Sequence, residues 1–488
     1  MLKNKHNKYL NLTYEIHKEF LKGKESICYV AEDIKEAQFL KNSLSLLDID
    51  NEILLFPEQE ILPYDHFSIP EKVIKERFQI INNDFNKPQI LITTIKNLFE
   101  LYPPKEYFQS SKNFSIGADI SVKQLSKILE SNKYTKKINV EYINEYTVRG
   151  GIIDVYSPLY KNPLRIEIFD DKIESIRFFD VDSQLSIDKI NSFSISNGSL
   201  FSLNPSRIES FIDNWRSYFH DYDERFCELF QKIKNGSVPE GIEIYLPFLF
   251  DKTVNFNNLI GINKIYTSKD LTSEIHEYHK FILQRFDDES IEQKRPLIRP
   301  TELYFNEIDV KKIISNSNPL SNQESLDMPQ SFDELVNEIN SNKFKYKNLL
   351  IVTSTHSEIP NIKKTIEKQS TEISNFKNWN LGINIMYGDP FQPFYLKDID
   401  LFVFHKESMD GIDSYALTET KTLKKESQSR DFSLFKINDY VIHDNYGLGI
   451  YAGLEVVETT NSKNEYIKIN YADSENLYVP LSNVNKIS

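Results

Sequence analysis

The chain holds one Gly-Lys pair able to close a phosphate-binding loop, Gly23-Lys24 in "LKGKES", and its surroundings argue against that chemistry. A P-loop needs a glycine five residues earlier so that backbone N–H groups can wrap the phosphates, and Lys18 stands there. Gly23 also follows a helical stretch and precedes a strand, the reverse of the order that aims a helix N-terminus at an anion. It reads as a helix C-cap. His276 and His279 in "IHEYH" are three residues apart, whereas H-E-x-x-H brings two imidazoles to one metal at a spacing of four, and a third ligand is not apparent. They read as a solvated helix face. No G-x-S-x-G elbow occurs, and the carboxylate pair Asp170-Asp171 sits in a turn-like context. Cys28 and Cys227 are the only thiols, too few and too far apart for a disulfide framework or a thiolate site. No catalytic residue, cofactor or metal ligand is therefore expected, and a binding protein becomes the leading class.

A second stretch, "YTVRGGIIDVY" at residues 146 to 156, alternates like a strand but spends two of the chain's 14 glycines beside an arginine. Read as one strand, it places Tyr146, Val148, Gly150, Ile152 and Asp154 on one face and Thr147, Arg149, Gly151, Ile153 and Val155 on the other. Gly150-Gly151 can host a bulge or sharp coil that re-aims Arg149. In "LRIEIF", period two sends Leu164, Ile166 and Ile168 inward and leaves Arg165, Glu167 and Phe169 facing out. Arg149, Arg165 and Phe169 form a candidate protein-binding patch, because a guanidinium fork fixes geometry while a ring supplies apolar area. Spacing also allows the bland arrangement, with Phe169 beneath a neighbouring helix and the arginines paired to Glu167 and Asp170.

The elements that must position these residues fall into modules. At about 150 residues per domain, 488 residues predict three or four domains. The N-terminus lacks an apolar h-region and no apolar run approaches the ~18 residues of a membrane span, so the expected location is the cytoplasm. A formal charge of -14 disfavours a chain-wide grip on nucleic acid. From residue 1 to about 115, "ESICYVAED", "EILLFP" and "QILITTIKNLFELYPP" alternate with helical spacing such as Ile34, Ala37, Leu40, Leu44 and Leu47. Thr94 can cap the last helix, and Pro103-Pro104 must stop it. This predicts a parallel sheet covered by helices. Residues 116–205 are strands with tight turns. Residues 206–310 bring back helices around a strand-like "GIEIYLPFLF", a second instalment of the first domain. Residues 325–412 read as a small α/β unit, 413–432 as a polar linker, and 433–488 as a small β-barrel in which Gly447, Gly449 and Gly453 permit strong coiling. The fold class is multidomain α/β and α+β.

"YTVRGGIIDVYSP" followed by "LRIEIFDDKIESIRFFDVDSQLS" closely resembles a segment shared by the excinuclease B protein and the bacterial transcription-repair coupling factors. "FPEQEILPYDHFSIPEKVIKERF" looks like the first domain of the coupling factors. "FKINDYVIHDNYGLGIYAGLEVVE" with "YIKINYADSENLYVPLSNVNKIS" looks like their RNA polymerase interaction domain, which the excinuclease B protein lacks.

The resemblance implies an excinuclease-B-like α/β domain without a P-loop in two segments (1–115 and 206–310), an inserted excinuclease-A-binding domain (116–205), the small α/β domain, the linker and a Tudor-like or SH3-like barrel. It places the contact with the excinuclease A protein (UvrA) on Arg149, Arg165 and Phe169. It also implies edge-to-edge pairing with the RNA polymerase β subunit through Leu454, Glu455, Val456, Val457 and Glu458, with Val457 where family members often carry leucine. In the full-length family an ATP- and Mg-dependent DNA translocase follows, so a chain stopping at Ser488 looks like a non-catalytic N-terminal half. An excinuclease-B-like helicase fragment and a CarD-like transcription regulator are the competing readings.

Overall fold

In a computed structural model the described residues are 8–409 and 437–480, apart from 24, 48–52, 84, 86, 110, 182, 198–200, 202, 293–294, 316–317, 321–324, 330, 342–347, 444–445, 460–461 and 472–475. Short apolar runs become the central strands of a parallel sheet, because strands covered on both faces need no polar alternation. Ile27–Ala31 and Ile90–Thr94 are buried along their whole length. The five strands lie in the order Asn318–Pro319, Lys264–Thr267, Ile27–Ala31, Ile90–Thr94, Ile53–Leu55. Strands separated by more than two hundred residues are thus neighbours, Lys264 standing opposite Ile27. The helix Ile34–Leu46 starts at Asp33, whose carboxylate accepts from the Glu36 N–H at 2.8 Å, and it buries Ala37, Leu40 and Leu44.

Two local readings change in three dimensions. Thr94 does stand at the N-cap of the helix Ile95–Phe99, but its hydroxyl donates to Glu58 Oε1 at 2.8 Å and makes no cap bond. "GIEIYLPFLF" is not a strand: Ile242–Tyr245 is a 3₁₀ turn running into the short helix Leu246–Leu249. Gly241, at a φ of 70°, breaks the chain before it, and Pro247 sits in the first turn of the helix, where its missing N–H costs nothing. A short buried apolar run fits either state, and here packing against Phe211 and Trp215 decides.

One buried ion pair ties this domain together. Arg77, on the helix Glu71–Ile81, is 2% exposed. Its guanidinium donates to both oxygens of Glu100 (2.5 and 3.1 Å), to Asn97 Oδ1 and to the Pro57 carbonyl, and lies over the Phe56 ring.

The inserted module is a six-stranded sheet in the order Ser186–Ile190, Lys172–Phe179, Leu164–Phe169, Ile152–Val155, Glu145–Arg149, Thr135–Lys136. The amphipathic helix Val122–Ser131, started by a Ser121/Gln124 capping box, buries Leu125 and Leu129 in the module's core. Ser111–Ser115, read with the first domain from sequence, instead forms a two-stranded ribbon with Ser192–Ser196. Phe114 packs inward on Phe193, but its four neighbours in the strand are polar and exposed, and one ring is too little pattern to have revealed this.

The small α/β unit is a sheet of Ser370–Glu372, Ile383–Tyr387, Asn348–Thr353, Leu401–His405 and Phe394–Leu396, parallel except for the last. At the C-terminal end Tyr440–His443, Gly447–Thr459, Ser462–Asn470 and Asn476–Pro480 form a four-stranded antiparallel sheet. Its outer strands are not paired with each other, so the described residues form a sheet, not a closed barrel. Among the described residues no helix is long and apolar enough to cross a membrane. The linker 413–432 lies outside the described residues.

Removing one partner of a buried pair strands the other charge, which costs about 3–5 kcal/mol. Arg77→Ala is therefore expected to lower the urea midpoint of the α/β domain strongly, followed by far-UV circular dichroism. A shift worth less than about 1 kcal/mol would contradict the role given to this pair.

Candidate protein-interaction surfaces

The two glycines form a tight hairpin rather than a bulge. Arg149 pairs with Ile152, leaving Gly150-Gly151 as a two-residue loop between Glu145–Arg149 and Ile152–Val155. Gly150 has a φ of 62°, as a type II′ turn requires at its first central residue. Gly151 is needed for a different reason: a Cβ there would meet the Ile168 carbonyl oxygen at 2.6 Å. The Ile168 N–H donates to the Gly151 carbonyl at 2.8 Å, locking the hairpin tip to the next strand.

Because cross-strand partners share a face, the hairpin corrects the side assignments of a single strand. Tyr146 faces the core with Ile153 and Val155, whereas Thr147 and Arg149 share the outer face with Ile152 and Asp154. On Leu164–Phe169 the alternation is as read: Leu164, Ile166 and Ile168 are buried, while Arg165 and Glu167 are half-buried and Phe169 is 70% exposed.

The outer face is organised by Asp154, only 2% exposed and directly opposite Arg165. Arg165 forks onto it, Nε to Oδ1 at 2.8 Å and Nη2 to Oδ2 at 3.0 Å, which raises the guanidinium pKa above its ordinary value. Arg165 Nη1 donates to the Gln184 carbonyl, and the fork lies 4.7 Å from the centre of the buried Phe179 ring. Arg149 reaches the same carboxylate at 4.0 Å and donates to Asn139 Oδ1 and the Ile138 carbonyl. The arginines thus pair with Asp154, not with Glu167 or Asp170. Glu167 instead takes Arg177 and Ser175. Asp170 and Asp171, both at positive φ, make the turn between Phe169 and Lys172.

The three expected residues share one face but are not equally available. Arg165 is 18% exposed and held by its fork, whereas the Arg149 side chain is 48% exposed. Four residues along the strand from Arg165, about 13 Å, the Phe169 ring stands in solvent. Leu185, next to the Gln184 carbonyl, and Ile138, whose carbonyl holds Arg149, are exposed too. Sequence reasoning missed Asp154, Asn139, Gln184 and Phe179. A Gly-Gly dipeptide flanked by alternating residues was the available hairpin signal, and it would have put Asp154 beside Arg149.

Leu454, Glu455, Val456, Val457 and Glu458 all lie on the strand Gly447–Thr459, opposite Ile467, Tyr466, Glu465, Asn464 and Lys463. Tyr440–His443 pairs only with Gly447–Ile450 on the other edge. Among the described strands, none pairs with the second edge of Leu454–Glu458. Glu455 pairs with Lys468 at 3.1 Å, while the side chains of Leu454, Val456, Val457 and Glu458 lie outside what is described. Gly449 is required by close packing, since a Cβ would meet Ile469 Cγ2 at 2.4 Å.

The remaining chemistry-bearing residues have structural partners. Gly23 caps the helix Leu12–Lys22, its N–H donating to the Phe20 carbonyl. His276 and His279 face one carboxylate, Glu307, at 3.1 and 3.0 Å and tie two helices together. Among the described residues no group of three or more His, Cys, Asp or Glu could hold a metal. Both cysteines are buried, and burial pushes the Cys28 thiol up to about 12. In the small α/β unit Ser354 Oγ lies 3.1 Å from Nε2 of the fully buried His405, and the Thr353 hydroxyl donates to Glu407. The Ser408 N–H donates to His405 Nδ1, which leaves the proton on Nε2. Ser354 thus accepts from the ring and is not activated as a nucleophile.

Comparison with known proteins bears on both surfaces. The UvrB interaction domain family matches residues 113–201, and the CarD-like/TRCF RID domain family matches residues 435–488. The transcription-repair-coupling factor of Rickettsia bellii is 27% identical over 96% of this chain and 44% of its own length. Those of Bacillus subtilis (23% identical, 94% of this chain, 42% of that protein) and Escherichia coli (22%, 95% and 43%) align similarly. The chain spans less than half the length of these curated relatives. Nearly the whole chain is therefore similar to the N-terminal part of the transcription-repair-coupling factors, with its matched family domains at the two candidate surfaces.

Proposed function

We propose that this chain is the adaptor part of a transcription-repair coupling factor, acting in the cytoplasm to join RNA polymerase to the nucleotide-excision machinery. The inserted domain takes the excinuclease A protein on the face bearing Arg149, Arg165 and Phe169. The observation that carries this reading is Phe169: a ring 70% exposed at the end of a strand whose other face is fully packed. A benzyl group on the same sheet face as a half-exposed guanidinium has the composition of an interface hot spot. In the same reading the C-terminal unit is a Tudor-like barrel, and its Leu454–Glu458 edge adds a strand to the β chain of the polymerase. Main-chain bonds along that edge give affinity, and alternate side chains give specificity. DNA translocation, with its ATP and Mg, belongs to the motor of the longer relatives.

Phe169→Ala is expected to weaken capture of the excinuclease A protein at least roughly thirtyfold in a surface-binding assay, and unchanged affinity would discard the face. Asp154→Asn keeps the shape but releases the Arg165 fork. It should weaken the same capture by roughly tenfold, and full retention would show that the fork does not present the face. Val457→Asp should reduce capture of the polymerase β chain at least roughly tenfold and leave excinuclease A binding untouched. Loss of both captures would mean that the two surfaces are not separate.

A further inference from the structure

The segment Tyr64–Ile69 has neither helix nor strand, yet it is among the most firmly held parts of the α/β domain. The Tyr64 hydroxyl donates to the Ile298 carbonyl, and Arg295 Nη2 donates to the carbonyls of Tyr64 and Asp65. The buried Asp65 carboxylate accepts from the His66 N–H at 2.7 Å, and His66 Nε2 lies 3.1 Å from Glu289. Glu243 accepts from the Ser68 hydroxyl at 2.9 Å and the Ile69 N–H at 3.1 Å, while the Gly241 N–H donates to Ser68 Oγ. Backbone and polar atoms are therefore fixed from below. Phe67 points the other way.

The Phe67 ring is 4% exposed, and its cover comes from the far end of the chain. It belongs to the apolar cluster of the C-terminal sheet, with Val441, Tyr451, Ile467, Ile469, Leu477 and Val479. Its centre lies 4.6 Å from the Tyr446 ring and 5.5 Å from the Tyr471 ring. The Tyr446 hydroxyl donates to the Ser68 carbonyl at 2.6 Å, closing the contact with one directed bond. A four-stranded sheet of this size has few side chains to fill its own interior, so a ring borrowed from another domain is a large share of its core.

We infer that Phe67 is a plug on which the C-terminal sheet docks, so that the sheet rides on the α/β domain in one fixed orientation. Its partner is this chain's own apolar sheet face. The plug meets that face, while Leu454–Glu458 leaves its second strand edge unpaired among the described residues, so docking and strand addition use different surfaces. The α/β domain then travels with the C-terminal sheet when the sheet binds another protein.

The test measures a distance in the whole chain. Spin labels are placed at two exposed sites, Lys22→Cys on the α/β domain and Tyr440→Cys on the sheet; the two native cysteines are buried. Pulsed electron resonance should give one narrow distance distribution. Phe67→Ala should broaden it and raise amide exchange of Ile467 and Ile469 at least tenfold, with exchange of Ile27–Ala31 unchanged. Tyr446→Phe, which keeps the ring and removes only the bond to Ser68, should broaden it less and serves if the alanine variant fails to fold. A broad distribution with Phe67 and Tyr446 intact, or a narrow one that neither substitution alters, would overturn the docking.

Discussion

The Asp154 carboxylate is the constraint on which the candidate excinuclease face depends. Two arginines on one side of a small sheet would repel each other and leave rotamer-rich side chains free. One buried acid between them gives Arg165 a two-point fork and draws Arg149 toward it. The ordering is done before any partner arrives, so less side-chain entropy is lost at binding. The same interaction explains the two glycines. Asp154 can reach both cations only if its strand turns back within two residues, and Gly150 supplies the positive φ that this turn needs.

Much of this was legible in the amino-acid order. Alternation in "LRIEIF" correctly separates Leu164, Ile166 and Ile168 from Arg165 and Phe169, because one face of the sheet is buried and register is thereby fixed. The strands Ile27–Ala31, Ile53–Leu55 and Ile90–Thr94 and the helix Ile34–Leu46 followed from apolar spacing, whereas Lys264–Thr267, which pairs with Ile27–Ala31, did not. What escaped were choices made by distant partners. Thr94 looks like a cap in its own segment but finds Glu58, and "GIEIYLPFLF" is as apolar as a strand but curls against Trp215. Asp154 could not be paired with Arg165 without knowing that Ile152–Val155 and Leu164–Phe169 are neighbours, which is tertiary information.

The C-terminal sheet shows the same limit more sharply. Glycine crowding at 447, 449 and 453 reads as strong coiling, and Gly447 and Gly453 do take positive φ, but Gly449 is set by its packing against Ile469, which the spacing does not announce. Nothing local announces that Phe67, almost four hundred residues earlier, completes that core. Phe67 lies within the "FPEQEILPYDHFSIPEKVIKERF" stretch that marks the resemblance to the coupling factors. Its packing gives that stretch a physical task in joining two ends of the chain.

The central claim is that a ring and an arginine on one sheet face meet another protein directly. A photoreactive benzoylphenylalanine in place of Phe169 tests it most directly, because it reports contact rather than stability. Irradiation with the excinuclease A protein should yield a covalent complex through position 169, and the same group at the helix position Lys123 should yield none. Equal cross-linking from both positions, or none from 169 while the proteins still associate, would contradict the account.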